Sequence, residues 1–249
     1  MVITIFNQKG GVTKTTTTLS LGSGLAKRGY KVLLIDLDAQ FNLTACTNAD
    51  FDTYNIYDLL FNDASFEDTI QNLDEFDMII GTDEMALVAP DTDLFVLKNK
   101  LDLLKDKYDF IILDTPPGLG ITPISALTAS DGIVIPVLAD KLSVQALSQV
   151  NKTILDVIRN TNSKLKIIGI IPTIFEGNTI VAREMEKEFK TISRFMDTKV
   201  FKSYIRKSTA IKESQVFNMN IYDYAPKSNA AQDYNDFVDE FLERVKKNG

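Results

Sequence analysis

The sequence predicts an α/β fold: a doubly wound, mostly parallel sheet with helices on both faces, formed as one domain over residues 1–249. Two observations predict this fold. Short apolar runs rich in β-branched residues alternate with longer segments of helical leucine spacing, and short connections join them. The chain is also 45% hydrophobic and 24% charged over 249 residues, which suits one domain with a large core.

The first predicted strand, residues 2–6, leads into a glycine-containing loop at residues 7–16 and then into a helix at residues 17–28. This order of strand, glycine loop, lysine, hydroxyl and helix is what a phosphate-binding loop requires. The N–H groups of such a loop and the helix dipole concentrate positive potential at one point. We therefore expect Lys14 to contact the β- and γ-phosphates of a nucleotide, and the Thr15 hydroxyl to bind Mg²⁺.

A second buried strand, residues 31–36, ends in the carboxylate of Asp36, and Asp38 follows two residues later. Parallel sheets place their ligands beyond the carboxyl ends of the strands, so both carboxylates should face the phosphate loop. At the strand end, Asp36 suits a contact with Thr15 or with the Mg²⁺ shell. Asp38 lies outside the sheet and is free to orient a water molecule.

The segment from residue 50 to residue 93 is strongly acidic, with thirteen Asp and Glu residues and no Lys or Arg. Its pattern predicts helices at residues 55–61 and 66–73 and a strand at residues 76–80. Two interpretations of the acidity stay open. It forms either a solvated outer face or a docking face for a basic peptide of a partner.

A helix is predicted at residues 98–107, with Leu101, Leu103 and Leu104 facing inward. A strand at residues 108–114 follows and ends in Asp114. This is a Walker B pattern, in which a carboxylate beside the phosphate loop holds Mg²⁺ through water. Residues 116–118, Pro-Pro-Gly, form a stiff turn where the state of the nucleotide could be sensed.

The second half of the chain continues the alternation of helices and strands. Helices are predicted at residues 124–130, 141–160 and 177–195, and strands at residues 132–137, 166–173 and 200–205. The helix at 141–160 presents one apolar stripe, composed of Leu142, Ala146, Val150, Ile154 and Ile158.

Composition excludes several classes of function. The single Cys46 excludes a disulfide framework and a cysteine metal cluster within one chain, and the absence of His excludes histidine acid–base chemistry. No apolar run approaches the length of a membrane span and no signal peptide is present, so we expect a cytoplasmic protein.

The net charge of −7 argues against a surface covered with DNA contacts, yet one stretch is purely basic. Between residues 199 and 212 no acidic residue occurs. The five basic residues there are Lys199, Lys202, Arg206, Lys207 and Lys212. They form either a set of phosphate contacts for DNA or an ordinary solvated edge.

Residues 9–16, Lys-Gly-Gly-Val-Thr-Lys-Thr-Thr, resemble the deviant Walker A box of the ParA/MinD ATPases, a subclass of the P-loop NTPase fold. The resemblance implies that the eight residues of the box bind ATP with Mg²⁺: Lys9, Gly10, Gly11, Val12, Thr13, Lys14, Thr15 and Thr16. It also implies that Lys9 reaches the nucleotide of a second subunit. Thr13 departs from the family glycine, and its Cβ restricts the backbone. Residues 36–40, Asp-Leu-Asp-Ala-Gln, resemble the second box of the family, Asp-x-Asp-Pro-Gln, with Ala39 in place of the proline.

The resemblance covers nearly the full length and is strongest to the Soj-like partition ATPases. It implies an ATP-dependent homodimer that binds DNA non-specifically on the nucleoid and is released by hydrolysis, which a ParB-like partner stimulates. It implies that Thr173 lies near the adenine base and that Pro226 is part of the nucleotide site. It also implies that the catalytic residues are Lys9, Lys14 and Asp38. Asn178 and Ala210 replace arginines that contact DNA in relatives.

Two alternatives remain. A membrane-surface ATPase like MinD needs a cationic amphipathic anchor at the C-terminus. Residues 234–247 are amphipathic, but their polar side is acidic, which favours a helix that covers the core rather than a stable membrane anchor. A metabolic ligase of the dethiobiotin-synthetase kind shares the fold, but Lys9 and the Asp36–Asp38 pair favour the partition class.

Overall fold

The computed structural model describes residues 1–176 and 180–248, and within them a single mixed sheet organises the chain. This sheet has eight strands in the order β3-β4-β2-β5-β1-β6-β7-β8. Only the β3–β4 pair of the described sheet is antiparallel, and the other neighbours are parallel. The strands are β1 Val2–Ile5, β2 Val32–Asp36, β3 Ile70–Asn72, β4 Asp77–Ile79, β5 Phe110–Asp114, β6 Gly132–Leu138, β7 Lys166–Phe175 and β8 Ile205–Arg206.

Helices cover both faces of this sheet, as the sequence predicts for a doubly wound fold. They are α1 Lys14–Ala26, α2 Asn42–Ala45, α3 Ile56–Phe61, α4 Phe66–Thr69, α5 Val96–Asp102, α6 Ile121–Ala129, α7 Lys141–Asn160, α8 Ile180–Phe195, α9 Thr209–Val216, α10 Ile221–Tyr224 and α11 Asn229–Asn248, with a 3₁₀ turn at Asp83–Leu87. Among the described residues, no helix is both long and apolar enough to cross a membrane.

Strand β5 shows why the central strands are almost wholly apolar. Phe110 and Ile112 pack on the face covered by α1 and α11, whereas Ile111 and Leu113 pack on the face covered by α5 and α6. Successive side chains of a strand point to opposite faces, so a strand covered on both sides needs apolar residues at every position. The polar residue that ends the run, Asp114, then lies at the carboxyl edge of the sheet, beside the phosphate loop.

Two predicted helices are wrong in part. The helix expected at residues 66–73 ends at Thr69, because the following residues form β3 and pair with β4. The helix expected at residues 98–107 is α5, which ends at Asp102. Leu101 and Leu104 are buried as predicted, but Leu103 is 68% exposed because it lies on the outer side of the last turn.

Two further details differ from the predictions. The strand expected at residues 200–205 is reduced to β8, with one isolated bridge from Val200 to Ile170. The helix at residues 141–160 has its predicted bounds, but Leu142 is 73% exposed. Val150 and Ile154 are buried as predicted, and Val144, Leu147 and Val157 complete the buried apolar stripe of α7. Of the helix predicted at residues 177–195, residues 177–179 lie outside the described part of the chain.

Candidate nucleotide-binding site

The phosphate loop, residues 7–16, joins β1 to α1 at the carboxyl end of the central strand. Gly11 and Thr13 both have left-handed backbone conformations, with φ of 72° and 69°. Glycine adopts this conformation freely, whereas a residue with a Cβ is penalised by about 1–2 kcal/mol. Thr13 therefore keeps the backbone of a glycine in spite of its side chain, and α1 begins directly after it at Lys14.

The turn after β5 contacts this loop. The Gly118 amide donates a 2.7 Å hydrogen bond to the Gln8 carbonyl. A Cβ placed on Gly10 would lie 3.8 Å from the Pro117 Cβ, so the two backbones are close neighbours. The phosphate loop and residues 116–118 are thus in direct contact, and sensing of the nucleotide state by this turn stays a prediction.

Lys14 is the buried cation of the loop, with only 7% of the residue exposed. Its Nζ donates a 3.3 Å hydrogen bond to the Lys9 carbonyl, so the ammonium lies against the loop itself. Burial lowers the pKa of Lys14, and the carboxylates of Asp114 and Asp38 partly oppose this shift. A buried lysine with one long hydrogen bond gains further partners when an anion enters the loop.

Asp114 ends β5 and is fully buried. Its Oδ2 accepts a 2.7 Å hydrogen bond from the Thr15 hydroxyl, and its Oδ1 accepts a 3.1 Å bond from Thr18. Burial, and next the carboxylate of Asp36, raise the pKa of Asp114 to about 7. This carboxylate and the Thr15 hydroxyl are thus in direct contact at the start of α1.

Asp36 ends β2 in register with Asp114 on the neighbouring strand, and it is also buried. The Asp36 side chain does not form the expected hydrogen bond with Thr15, which donates to Asp114 instead. Its Oδ2 accepts hydrogen bonds from both the amide and the hydroxyl of Thr44, each 2.9 Å long. Gly81 packs closely beside it, since a Cβ there would lie 2.9 Å from the Asp36 Cγ. Burial raises the pKa of Asp36 to about 6.

The donor set fits Mg²⁺ bound mainly through water. Among the described residues, no group of three acidic, histidine or cysteine side chains is arranged to hold a metal directly. Mg²⁺ usually takes one or two protein ligands together with phosphate oxygens and several waters. The Thr15 hydroxyl beside the Asp114 carboxylate supplies such a pair. Two buried carboxylates with raised pKa values also favour a neighbouring cation.

Asp38 lies just outside the strand and is largely buried. Its Oδ1 accepts a 3.0 Å hydrogen bond from the Gln40 amide, which fixes the turn that carries it. Its carboxylate is close enough to raise the pKa of Lys14. The predicted water-positioning residue and the predicted phosphate-binding lysine are therefore brought to one place.

Lys9 faces the opposite way from Lys14. Its Nζ donates a 2.6 Å hydrogen bond to the Ser143 hydroxyl, at the start of α7, and lies 3.7 Å from the Asp140 Oδ2. The Ser143 hydroxyl in turn donates a 2.6 Å bond to Asp140, the N-cap of α7. The Lys9 side chain remains 38% exposed, so one lysine of the loop points inward and the other points out.

Comparison with known proteins agrees with this geometry. A family model described as "AAA domain" matches residues 1–167. The sporulation initiation inhibitor protein Soj of Bacillus subtilis is 36% identical, over 96% of this chain and 97% of its own. The chromosome-partitioning ATPase Soj of Thermus thermophilus is 32% identical, over 98% of this chain and 96% of its own. The chain belongs to the ParA/MinD family of ATPases.

Solved structures agree with the fold of a ParA/MinD-type ATPase. The structure of cobyrinic acid a,c-diamide synthase from Mycobacterium smegmatis, with bound ADP and magnesium, superposes with a TM-score of 0.83. It is 28% identical in sequence, and the match covers 100% of this chain and 96% of that one. The family fold is therefore shared with an enzyme whose name describes a metabolic amide synthesis.

The resemblance also assigns Thr173 and Pro226 to the nucleotide site, and the two residues lie in different surroundings. Thr173 is buried at the end of β7, where its hydroxyl donates to the Val137 carbonyl at 3.2 Å. The next residue, Ile174, has a positive φ of 51° at an irregularity of the β7–β8 pairing and is 41% exposed. Pro226 is exposed between α10 and α11, and no described contact links it to the phosphate loop.

Several site residues were missed by sequence reasoning. Gln215 of α9 donates a 3.1 Å hydrogen bond to the Thr16 hydroxyl, which ties a distant helix to the loop. Ser143 and Thr44 hold Lys9 and Asp36. Gln215 and Ser143 have no local sequence signal, because each reaches the site from an element that is remote along the chain, whereas Thr44 lies only eight residues after Asp36.

The basic run of this ParA relative divides into two sets. Arg206 forms an ion pair with the buried Asp233, and Lys207 lies 3.2 Å from Glu176. Lys199, Lys202 and Lys212 are exposed. Asn178 lies outside the described residues, and Ala210 is half-buried against the core. The stretch is thus not one uniform cationic surface.

The acidic segment, residues 50–93, lies around β3 and β4 at the other edge of the sheet. None of its thirteen acidic residues, all within the described chain, is buried. A solvated face and a docking face for a basic peptide both remain compatible with this arrangement. The charged residues are therefore distributed unevenly across the sheet. The β3–β4 edge is acidic, whereas the β8 edge carries both ion pairs and exposed lysines.

Proposed function

We propose that residues 1–249 act as one ParA-type ATPase domain that hydrolyses ATP with Mg²⁺. Lys14 would neutralise charge on the β- and γ-phosphates, and Asp38 would orient the attacking water. Thr15 and Asp114 would hold Mg²⁺, with Asp36 in the outer shell; the ion would neutralise charge on the phosphates. The remaining residues of the box, with Thr173 and Pro226, would complete the nucleotide site. The ADP and magnesium of the amide synthase neighbour support this ligand pair.

The nucleotide state would control dimerisation. In this proposal ATP closes a homodimer, Lys9 of each subunit completes the site of the other, and hydrolysis opens it. The observation that carries the proposal is the orientation of Lys9, whose ammonium lies on Ser143 and away from its own loop. A cation that its own loop does not use is available to a second chain.

The dimer would bind DNA non-specifically on the nucleoid of a bacterial cytoplasm and so move or position DNA. Two Soj relatives support the partition role, one of which is named a chromosome-partitioning ATPase. Basal hydrolysis would be slow, and a ParB-like partner would stimulate it. A membrane anchor is not proposed, because the apolar residues Phe237 and Phe241 of α11 are buried in the core.

The test is co-sedimentation with generic duplex DNA in the presence of ATP, of ADP and of no nucleotide. We expect retention only with ATP, and loss of retention after Lys9→Ala because the dimer would not close. Retention that is equal in all three states would contradict ATP-gated DNA binding.

A MinD-like ATPase that acts on a membrane surface or a protein assembly is the alternative. The same three nucleotide states with anionic vesicles separate the two functions. ATP-dependent recovery on vesicles but not on DNA would favour the alternative. Magnesium-dependent ATP hydrolysis itself is measured in the absence of both surfaces, which also tests the ATPase assignment without any partner.

A further inference from the structure

Helix α9 contacts the start of α1 through the side chain of Gln215. The Gln215 Nε2 donates a 3.1 Å hydrogen bond to the Thr16 hydroxyl, although the two residues are 199 positions apart along the chain. Both residues are half-buried, so the contact lies at the margin of the core rather than within it. Thr16 is the last residue of the phosphate loop, and the contact therefore brings a remote helix to the nucleotide site.

This hydrogen bond limits where the Thr16 proton can go. A hydroxyl has one proton to donate and two lone pairs, and the Gln215 amide uses a lone pair. A helical threonine can donate to the carbonyl four residues earlier, as Thr18 does to Lys14 at 3.1 Å. Within the described residues, the Thr16 hydroxyl makes no hydrogen bond except the one with Gln215. Its proton is thus left for a ligand.

The surroundings of this hydroxyl favour an anion. The first backbone hydrogen bond of α1 is donated by the Thr17 amide to the Thr13 carbonyl, at 2.9 Å. The three preceding amides, at residues 14–16, donate no backbone bond in the described chain and lie at the positive end of the helix dipole. An anion at this point would accept hydrogen bonds from these amides and from the Thr16 hydroxyl together.

The α-phosphate is the part of a nucleotide that suits Thr16. Lys14 is assigned to the β- and γ-phosphates, and the Thr15 hydroxyl, which contacts Asp114, to the Mg²⁺ that these phosphates share. Thr16 follows on the same turn of α1 and has no other role assigned. The phosphate that remains is the one next to the ribose, and ATP and ADP both carry it.

The position of Gln215 is fixed by contacts that need no nucleotide. Phe217, which follows α9, stacks on the Tyr224 ring of α10 with centroids 5.7 Å apart. The Tyr222 hydroxyl of α10 donates a 2.8 Å hydrogen bond to the Ser20 carbonyl of α1. Helix α9 is thus held, through α10, on the same helix whose first turn lies at the phosphates. A side chain placed in this way needs little further ordering when a ligand binds.

We propose that Gln215 is a positioning residue for the nucleotide: its amide orients the Thr16 hydroxyl so that this hydroxyl donates to the α-phosphate of ATP or ADP. The inference rests on the proposed nucleotide site and adds to it a residue from a remote helix. A contact that only attached α9 to α1 would affect folding, whereas this one affects the affinity for a particular phosphate.

A double-mutant cycle on the full-length protein tests this role. Gln215→Met keeps the length of the side chain and removes its donor, and Thr16→Val removes the hydroxyl. In isothermal titration we expect Gln215→Met to weaken ATP and ADP binding by the same factor, about 2–10-fold, because both nucleotides carry the α-phosphate. In the Thr16→Val protein, the same substitution should change both affinities by less than about twofold.

The phosphate itself is tested with the two diastereomers of ATP that carry sulfur at the α-phosphate. They differ in which non-bridging oxygen is replaced, and sulfur is a weaker hydrogen-bond acceptor than oxygen. We expect the wild-type protein to bind one diastereomer about 2–10-fold more weakly than the other, and Gln215→Met to bind the two nearly alike. A wild-type protein that binds both equally, or a ratio that Gln215→Met leaves unchanged, would overturn the inference.

The matched control is Gln232→Met, which removes an exposed amide bond of 2.7 Å to Asp236 on α11. It should leave both nucleotide affinities unaltered, and thermal unfolding without nucleotide establishes that all variants are folded. An effect of Gln215→Met that persists in full in the Thr16→Val protein would assign Gln215 to the packing of α9 alone and contradict the proposal.

Failure of this inference is distinguishable from failure of the nucleotide site. If Lys14→Ala weakens ATP binding while Gln215→Met retains the wild-type affinity, the site stands and the role of Gln215 is wrong. If the wild-type protein binds neither ATP nor ADP, the nucleotide site fails, and the role of Gln215 fails with it.

Discussion

The phosphate loop has two sides, and they differ in how far contacts within the chain bury and pair their charged groups. On the side of α1 and β5, Lys14 is buried and the Asp114 carboxylate is bonded to Thr15 and Thr18. On the side of α7, the Lys9 ammonium rests on Ser143 and remains 38% exposed. One side is closed by contacts within the chain, whereas the other presents its charge to solvent.

This difference separates a binding function from a switching function. The inner side is held by buried groups whose rearrangement is costly, so it is prepared for a nucleotide before one arrives. The outer side depends on one hydrogen bond and a 3.7 Å ion pair with Asp140. An exposed ion pair contributes about 0–1 kcal/mol, so Lys9 can leave it at little cost when a second subunit offers a nucleotide.

The largest effect is expected from the inner side. Lys14→Ala should weaken ATP binding about 1000-fold, because two charge-assisted contacts to phosphate contribute roughly 1.5–3 kcal/mol each. Isothermal titration of ATP into the protein measures this. Lys164→Ala changes an exposed lysine remote from the loop and should leave ATP affinity unaltered. Similar ATP affinity in the Lys14 variant would contradict the assignment of the loop.

The next effect concerns turnover rather than binding. Asp38→Asn retains an oxygen for the Gln40 amide but removes the charge that would orient water. We expect hydrolysis to fall by about 100-fold, within the usual range for a lost acid–base group, while ATP binding persists and the ATP dimer accumulates. Phosphate release in a single turnover and light scattering measure the two effects. Hydrolysis at the normal rate would remove Asp38 from the mechanism.

A smaller effect tests the outer side directly. Ser143→Ala removes the acceptor that holds Lys9 in its own chain, which should favour ATP-dependent dimerisation by about 0.5–1.5 kcal/mol, or roughly 2–10-fold in the dimer dissociation constant. Analytical ultracentrifugation with ATP measures the shift. Ser148→Ala, on the exposed side of the same helix, is the matched control. Weaker dimerisation in the Ser143 variant would show that Ser143 supports Lys9 in the dimer instead.

The two sides also differ in how well the sequence predicts them. The inner side is local: Lys14 and Thr15 follow β1 directly, and Asp114 ends a strand that the apolar run identifies. The topology of parallel strands then brings these residues together without any knowledge of side-chain packing.

The outer side could not be predicted in this way. Ser143 lies 134 residues from Lys9 along the chain. The helical spacing also predicts that Leu142 of α7 faces inward, whereas the structure exposes it. The same limit applies at the β8 edge. There the pairing of Arg206 with Asp233 withdraws a cation from a run that looks uniform in the sequence.

The smallest effect concerns Thr13, which lies between the two lysines and joins the two sides. Its left-handed φ of 69° carries a strain of about 1–2 kcal/mol for a residue with a Cβ. Thr13→Gly removes this strain but gives the unfolded chain more freedom, worth about 0.4–1 kcal/mol, so a net gain of about 0.5–1 kcal/mol in the free energy of unfolding is expected.

Urea denaturation of the Thr13 variants measures that gain. Thr13→Ala is the matched control, because it removes the hydroxyl and keeps the Cβ, and it should gain little. If Ala stabilises the protein as much as Gly does, the backbone conformation is not the cause. Ser143→Ala is then repeated in the Thr13→Gly protein. If Thr13→Gly is stabilising and the effect of Ser143→Ala on dimerisation is unchanged, the strain belongs to the inner side, and the outer side is set by α7 alone.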